Sequence, residues 1–583
     1  MNRVDTPVRP FPRVPVLLLL GAAGLAWALC LGTRDLWPPD EPRYALVARE
    51  MLEGGSWFLP HVNGHPYPDK PPLLFWMIAL ASRLAGGVSQ VTAVLPSLVS
   101  GLLAALGAAR IAYVLPGRRA VRAPLVAAGL LVVSWRFVLQ ATVGQIDMLL
   151  AAGTTWAFLL LVLGAGLDPG GSPRPRLAVL AWGVMGLAIL AKGPVGLVLP
   201  LGGLVSGLLL AGERVPWRRL APVTGLALLL AVLAAWLAPA SLEALRGGNT
   251  SWLANLLFRQ TAVRYFASWH HFRPPWYLFV VPLYDFQPLV LFAAPGLLAL
   301  PRAFRLARRP GAAPGDRREA RALLLLAGAV AFILVFFSVP RGKRAVYLLP
   351  AMPLLAALAG IDLDRRLAGR AARGPLRVAA ATTGLLLAAA AAALALLAPG
   401  KLAARGITLH PGPVAALLAL AGMLLFGAAL ARRPGPWFGA ALLAGLLTWG
   451  AAFRVVLPAL DARNSARTFV AAVRERLRPG APGGMVDFRA RFGFHAGHLV
   501  EAAPSDHAAM DRLARRLAGK DPFWVIVRER HLPALLRRIP PGRRPVEVLR
   551  RAVGNSVFVV LANRAALREP PGPAGDRGGE VPR

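Results

Sequence analysis

The chain has 583 residues, of which 56% are hydrophobic and 16% charged, with a mean hydropathy of +0.54. This composition excludes an ordinary soluble globular protein, in which about a quarter of the residues are charged. The net charge of +38 is by itself typical of nucleic-acid binding. Most arginines, however, lie in short loops between apolar runs, so we predict no nucleic-acid partner. The single cysteine, Cys30, excludes intrachain disulfides.

The first apolar run, Val14 to Leu31, follows a short basic stretch. A secretory signal peptide has this pattern, but no small-residue cleavage site follows cleanly and many apolar runs come after it. We therefore predict an uncleaved first helix with the N-terminus in the cytoplasm.

Apolar runs of about 17 to 25 residues recur along the chain and predict a polytopic α-helical membrane protein. We predict about 13 transmembrane helices, at residues 14–32, 91–115, 122–139, 146–166, 176–191, 194–211, 221–239, 277–300, 322–338, 345–361, 376–398, 412–430 and 437–457.

The apolar segment Leu73–Leu84 is too short for an ordinary crossing. If it crossed, the arginine-rich loops after it would face outward, against the positive-inside rule. We therefore predict an interfacial or re-entrant helix. The odd number of spans then places the C-terminus outside, in a multi-pass protein of the inner (cytoplasmic) membrane. Asp147 and Lys192 fall at the outer ends of their helices.

The domain prediction follows from these spans and from a change of composition after Pro458. Residues 1–457 form a transmembrane domain whose first extracytoplasmic loop covers about 33–90. Residues 458–568 form a small extracytoplasmic α/β domain: ARNSARTFVAAVRERL is predicted as a helix, and GGMVDFRARFGF, PFWVIVRE and SVFVVLANR as strands. The Pro/Gly/Arg-rich tail, 569–583, is predicted to be disordered.

The polar stretch Asp35 to Pro72 holds the first candidates for chemistry. Asp40 and Glu41 form a carboxylate pair that could be catalytic, or could instead be a solvated or helix-capping pair. Asp147 ends an apolar helix, where an ionisable group indicates function. Lys192 stands alone between two apolar runs, and either binds substrate or snorkels to the interface.

Cations on the predicted outer face indicate an anionic substrate, because such loops are usually poor in Lys and Arg. Nearby aromatic residues such as Tyr67 and Tyr347 suit a lipid tail beside a sugar, or an ordinary aromatic belt. His270–His271 and the pair His495 and His498 are weak metal candidates. The sequence contains no Walker loop, dinucleotide fingerprint or zinc signature. We predict no certain cofactor and find no support for a divalent metal. The cations on the predicted outer face are Arg43, Lys70, Arg259, Arg264, Arg273, Arg341, Lys343 and Arg344.

Several segments resemble, in the same order, bacterial membrane glycosyltransferases of the protein-mannosyltransferase type, a group that includes the lipid A aminoarabinose transferases. They cover most of residues 35–353. The segments are PPDEPRYALVAREMLEGGSWFLPHVNGHPYPDKPPLLFW, the stretch around Asp147, AKGPVGLVLP, FRQTAVRYFASWHHFRPPWYL and FFSVPRGKRAVYLLP. Asp69 and the basic run RGKRAVY depart from the usual pattern of the family and leave the substrate open.

The resemblance implies the fold of lipid-linked-sugar transferases (GT-C type), with the active site at the outer boundary of the membrane. It implies an inverting transfer from a polyprenyl-phosphate sugar to a membrane lipid or protein acceptor. Asp40 matches the catalytic acidic residue, with Glu41 beside it, and Asp147 the second acidic position. The substrate-binding positions that match are Arg43, Tyr67, Lys70, Lys192, Arg264 and Tyr347, of which Lys70 and Arg264 contact the donor phosphate.

Two other classes of function fit parts of the sequence. A lipid or sugar transporter or flippase would also carry ionisable residues in a membrane domain, although these usually lie near the bilayer midplane. A non-catalytic member could bind a lipid-linked sugar through its extracytoplasmic domain, but the intact Asp40, Lys70 and Asp147 argue against that.

Overall fold

The computed structural model describes residues 10–117, 122–169, 171–248, 252, 271–403, 410–497, 500–503 and 507–568. The described chain divides into two compact units. The helical unit comprises the described parts of Met1–Arg34, Val47–His61 and His65–Ala459. The C-terminal unit comprises those of Asp35–Leu46, Val62–Gly64 and Leu460–Arg583, so it takes two short pieces from the N-terminal part of the chain.

Apolar runs, several of them with an internal proline, form most helices of the helical unit. In chain order they are α1 (Arg13–Ala28), α2 (Glu41–Leu52), α3 (Leu73–Leu84), α4 (Gln90–Val114), α5 (Ala123–Val133), α6 (Trp135–Ala141), α7 (Ile146–Gly164), α8 (Pro175–Lys192), α9 (Val195–Ala211), α10 (Pro222–Arg246), α11 (Tyr277–Asp285), α12 (Leu289–Leu298), α13 (Leu300–Arg308), α14 (Pro314–Ser338), α15 (Ala351–Leu367), α16 (Gly374–Leu396), α17 (Ala398–Ala403), α18 (Gly412–Leu430) and α19 (Gly435–Asn464). A two-stranded hairpin, β1 (His61–Val62) and β2 (His65–Pro66), lies between α2 and α3.

Within the described residues, eight helices are long and apolar enough to cross a membrane, which confirms a multi-pass membrane protein. Two further crossings are possible if α5 and α6, bent by 71°, and α11 and α12, bent by 120°, each count as one broken span. This number is lower than the predicted 13 because α1, α9 and α15 have only 16 or 17 residues. A straight crossing needs about 20.

Small residues allow the helices to pack closely. A Cβ atom on Gly207 of α9 would lie 2.3 Å from the backbone oxygen of Leu325 in α14. One on Gly164 would lie 2.5 Å from the backbone nitrogen of Ala178 in α8. Such close approach of backbones supplies much of the packing between helices in a membrane, where the hydrophobic effect gives little drive.

The C-terminal unit contains a five-stranded sheet in the order β4-β3-β5-β7-β6, in which β3 is parallel to β4 and β5, and β7 is antiparallel to β5 and β6. Apolar side chains of the sheet and its helices form two cores, one around Phe469 and Phe492 and the other around Leu513 and Phe523. The elements are α20 (Arg467–Arg476), β3 (Gly483–Val486), α21 (Ala490–Ala496), β4 (Glu501–Ala503), α22 (His507–Leu517), β5 (Trp524–Arg528), α23 (Leu532–Leu536), β6 (Val546–Val553) and β7 (Ser556–Ala562).

The sequence patterns located three of these elements, namely α20, β5 and β7. The predicted strand GGMVDFRARFGF is correct only in its first third, GGMV. The backbone of Asp487 has a φ of +55°, which ends β3, and the following residues form α21. The predicted tail 569–583 lies outside the described residues.

Candidate functional site

Two of the predicted site residues form a buried ion pair in the helical unit. Asp147 lies in the first turn of α7 and Lys192 is the last residue of α8. The lysine ammonium donates a hydrogen bond to the Asp147 carboxylate, and the two side chains are only 16% and 9% exposed. Each charge complements its helix, because an acid is favoured at a helix N-terminus and a cation at a C-terminus.

Tyr347 completes this group. It lies in the short 3-10 turn Ala345–Leu348, and its ring centre is 4.8 Å from the Lys192 Nζ atom. Phe337 of α14 packs against the same tyrosine with ring centres 5.3 Å apart. The structure thus brings together three residues that the sequence singled out at positions 147, 192 and 347. We call them the Asp147 cluster.

The start of α7 is held by residues that sequence reasoning missed. The backbone of Gln145, the residue before α7, is bonded at both its N–H and its carbonyl to the Ser97 hydroxyl, at 3.2 and 3.1 Å. The Gln145 side chain accepts a hydrogen bond from Gln140 at 2.8 Å. The sequence carried only a weak signal for this contact, a serine directly after Pro96 in an otherwise apolar helix.

Tyr67 and Lys70 lie before α3 in the helical unit. Tyr67 is buried, its N–H donates to the Pro60 carbonyl at 2.7 Å, and its ring centre is 6.2 Å from that of Phe75. Lys70 is half-buried. Burial of the tyrosine ring fixes the segment from which the lysine projects.

Asp40, Glu41 and Arg43 lie at the start of α2, in the part of that helix that belongs to the C-terminal unit. The Asp40 carbonyl accepts the Tyr44 N–H at 2.9 Å, so Asp40 begins the helix, and its side chain is half-buried. Glu41 is 1% exposed, and its carboxylate accepts the Trp37 N–H at 2.8 Å. That bond closes the loop that carries Asp40. Arg43 is half-buried.

Not every predicted cation is available to a substrate. Lys343 is 3% exposed, and its ammonium donates to the backbone carbonyls of Pro340 and Arg273. Burial also lowers the pKa of Lys343. This lysine therefore fastens its own loop. Arg264 lies outside the described residues, as do Arg259, His270 and His498.

Asp35 connects distant parts of the C-terminal unit. Its carboxylate accepts hydrogen bonds from the Ser465 hydroxyl at 2.8 Å and from His495 Nε2 at 2.9 Å. It also accepts the backbone N–H groups of Ala466 and Arg467, so it caps α20 from a distant part of the chain. Burial alone would raise the pKa of Asp35, but these bonds together lower it to about 2.

Among the described residues, no group of three or more His, Cys, Asp and Glu side chains is arranged to hold a metal ion. The predicted metal candidate His495 is instead bonded to Asp35.

The fold has a counterpart among solved structures. Over 96% of this chain and 100% of the other, the structure matches that of ArnT from Cupriavidus metallidurans bound to undecaprenyl phosphate, with a TM-score of 0.77 and 22% identity. The apo form of the same protein matches with a TM-score of 0.75. The chain therefore has the fold of this ArnT structure.

Sequence comparisons agree. Residues 69–238 match the family described as dolichyl-phosphate-mannose-protein mannosyltransferase. The chain is 34% identical over 384 residues to undecaprenyl phosphate-alpha-4-amino-4-deoxy-L-arabinose arabinosyl transferase 1 of Pseudomonas fluorescens. The aligned region covers 63% of this chain and 64% of that protein. The chain is 35% identical over 360 residues to the corresponding Pseudomonas aeruginosa protein, covering 60% of each. The match thus spans less than two thirds of these relatives, and the resemblance predicted from the sequence is confirmed.

Proposed function

We propose that the protein is an inverting glycosyltransferase. It moves a sugar from a polyprenyl-phosphate donor to an extracytoplasmic acceptor, a lipid A-like glycolipid or a protein hydroxyl, at the outer face of the inner membrane. The observation that carries this proposal is the Asp147 cluster, a buried acid–lysine–tyrosine group inside a fold of the lipid-linked-sugar transferase type. The names of the relatives indicate undecaprenyl phosphate-4-amino-4-deoxy-L-arabinose as the donor to test first.

The proposed topology has about 13 crossings, counting α1, α9 and α15, with α3 at the interface. The N-terminus is cytoplasmic, and the C-terminal domain, residues 458–568, is extracytoplasmic. A charge network supports this orientation: Glu319 pairs with Arg365 at 3.1 Å and with Arg370, and Arg370 also pairs with Asp364 at 2.6 Å. Arginine-rich helix ends of this kind are favoured on the cytoplasmic side.

The transfer breaks the bond between the anomeric carbon and the donor phosphate oxygen, and forms one to the acceptor oxygen. The polyprenyl phosphate leaves with the bonding electron pair and gains negative charge. Cations placed beside it stabilise that charge in the transition state. Lys70 and Arg264 are the proposed residues, together with Arg43, which like Lys70 belongs to the first loop.

The part played by Asp40 depends on the acceptor. A hydroxyl acceptor must lose a proton, and the Asp40 carboxylate takes it as general base. A phosphate acceptor is already ionised near neutral pH, because its second pKa is about 6. In that case Asp40 orients the acceptor or stabilises positive charge on the sugar ring. The bond from Trp37 to Glu41 makes Glu41 the residue that holds the Asp40 loop.

In the Asp147 cluster, we assign Lys192 and Tyr347 to the substrate cavity and Asp147 to the second acidic position. The ion pair fixes the lysine ammonium beside the tyrosine ring. Tyr67 contributes to the apolar side of the cavity. A transporter needs no such assignment, and the transferase names of the matching relatives favour sugar transfer over transport.

The test uses purified protein and a radiolabelled undecaprenyl-phosphate sugar. Asp40→Asn should reduce sugar transfer by at least about 100-fold, the usual contribution of a positioned acid or base, while donor binding stays near normal. Glu53→Gln is the matched control, because it removes an equal charge from an exposed carboxyl of the same loop. Full turnover by Asp40→Asn would refute the assignment.

Lys70→Ala, in contrast, should weaken binding of the donor without unfolding the protein. Unchanged donor affinity would contradict the phosphate role. Mass spectrometry of lipid A and of glycoproteins, with and without the gene, then identifies the acceptor.

A further inference from the structure

A second charged site lies in the C-terminal unit, at the carboxyl ends of the parallel strands β3 and β5. These strands are neighbours in the order β4-β3-β5. The chain leaves β3 towards β4 on one side and later enters β5 on the other side. In sheets with parallel strands, ligands bind where the connections diverge in this way, outside the carboxyl ends of the strands.

Three arginines meet at this edge. Arg489 and Arg491 follow β3, and Arg528 is the last residue of β5. Each has a buried Nε atom without a hydrogen-bond partner among the described residues. None of the three forms an ion pair with any acidic side chain in the described ranges at 4.0 Å or less. Buried donors in proteins are normally satisfied, so three in one place call for an explanation.

Aromatic packing holds two of the guanidinium groups in position. Arg491 lies 5.1 Å from the ring centre of Phe492 and 5.2 Å from that of Phe558. Arg528 lies 5.9 Å from the same Phe558 ring. Planar guanidinium groups stacked on aromatic rings lose little further freedom when they bind an oxyanion.

The charge at this edge is unbalanced. Burial lowers the pKa of Arg491 to about 10, and repulsion from Arg489 and Arg528 adds to the effect. The nearby acid is Asp487, which acts on Arg528 and also lies 3.3 Å from His531. One carboxylate against these three guanidinium groups leaves an excess of positive charge, to which Arg530 adds. Such repulsion destabilises the unit unless an anion neutralises it.

We propose that Arg489, Arg491 and Arg528 form a binding site for a phosphate group. A phosphate monoester carries a charge of about −1.5 to −2 and three acceptor oxygens, which matches both the charge excess and the unused donors. Guanidinium groups bind such oxyanions through paired hydrogen bonds. The phosphate comes either from a lipid headgroup or from a free phosphate compound. These three arginines are not among the proposed donor-phosphate residues, and the proposal does not rest on the transferase activity.

The test uses the full-length protein purified in detergent, with calorimetry and thermal unfolding as readouts. The probes are inorganic phosphate and short-chain phosphatidic acid, with phosphatidylcholine of equal chain length, a zwitterionic phosphodiester without net charge, as the control. The variant is Arg489→Gln/Arg528→Gln. The matched control is Arg512→Gln/Arg515→Gln, which removes the same charge from two exposed arginines of α22.

We expect the wild type and the control variant to bind phosphate and to unfold at a higher temperature in its presence. The Arg489→Gln/Arg528→Gln variant should bind at least about tenfold more weakly, since it loses two guanidinium groups that donate charge-assisted hydrogen bonds to the phosphate. It should also unfold at an equal or higher temperature than the wild type in phosphate-free buffer, because repulsion has been removed. If the two arginines only stabilised the fold, the variant would instead unfold at a lower temperature than the wild type in phosphate-free buffer.

The two probes distinguish the sources. Binding of inorganic phosphate that is lost in the variant assigns the site to free phosphate compounds. Binding of phosphatidic acid alone, also lost in the variant, assigns it to lipid headgroups. No binding of either probe, or an equal loss in the α22 control, overturns the proposal. Full sugar transfer by Asp40→Asn, which would refute the proposed catalytic role, would leave this result unaffected, so the two proposals fail independently.

Discussion

Replacing Asp35 by Asn tests how the C-terminal unit is held together. The substitution keeps the size of the side chain but removes the charge that accepts hydrogen bonds from Ser465, His495 and the start of α20. Asparagine can still accept a single bond at the helix start, so the loss reports mainly on the charge.

The magnitude follows from the pKa of Asp35, which falls from 3.8 to about 2 on folding. One pKa unit corresponds to about 1.4 kcal/mol, so the charged form contributes about 2 kcal/mol of stability. Asp35 is 4% exposed, so little of this is lost to solvent screening. Because the folded pKa is the lower one, the contribution is complete above pH 3.8 and disappears as the pH falls through about 2.

The assay is hydrogen exchange of the full-length protein near neutral pH. Asp35→Asn should increase the exchange rate of amides in α20 by about 30-fold, the equivalent of about 2 kcal/mol in local opening. Glu475→Gln removes an equal charge from an exposed position on the same helix and should change little. Equal protection of α20 in Asp35→Asn and the wild type would refute the reasoning, as would an equal loss in Glu475→Gln.

Two further predictions concern the helical unit. Asp147→Asn and Lys192→Met should each lower the free energy of unfolding by about 3–5 kcal/mol, because each leaves a buried charge without its partner. The double variant should recover part of the loss. Additive losses would show that the pair is not coupled. Gly207→Ala should cost about 1–3 kcal/mol in thermal stability, since the new methyl group meets the Leu325 carbonyl. Gly21→Ala, in open space on α1, should not destabilise, and equal losses in the two variants would contradict the packing argument.

The sequence predicted helices well wherever an apolar run was continuous, but it did not predict where a helix breaks. The runs 122–139 and 277–300 each appear as one span, yet both are broken in the structure. The reason is tertiary: the Trp135 N–H donates to the Gln287 carbonyl at 2.9 Å, and Arg136 forms two bonds to Asp285. Partners about 150 residues apart cannot be read from local periodicity.

In the candidate site, too, the sequence predicted features with a local signal and missed those that depend on distant partners. Asp147 and Lys192 were identified because a lone charge in an apolar helix is costly, and Tyr347 because its segment resembles a known family. Ser97 was missed, since a serine in an apolar helix is usual. Asp35 was noticed as part of a polar stretch, but its partners at Ser465 and His495 are too distant in sequence to be paired with it.

The C-terminal unit combines segments of the chain that are synthesised far apart in time. The backbone N–H of Asp35 donates a hydrogen bond to the Asp461 carboxylate, across a separation of 426 residues. At about 5–20 residues per second, the ribosome needs roughly 20–90 s to make the intervening chain. During that interval Asp40, which lies in the same early piece, has no completed sheet domain to fold with. The piece of chain that carries Asp40 therefore completes its packing only after residues 460–568 have been synthesised.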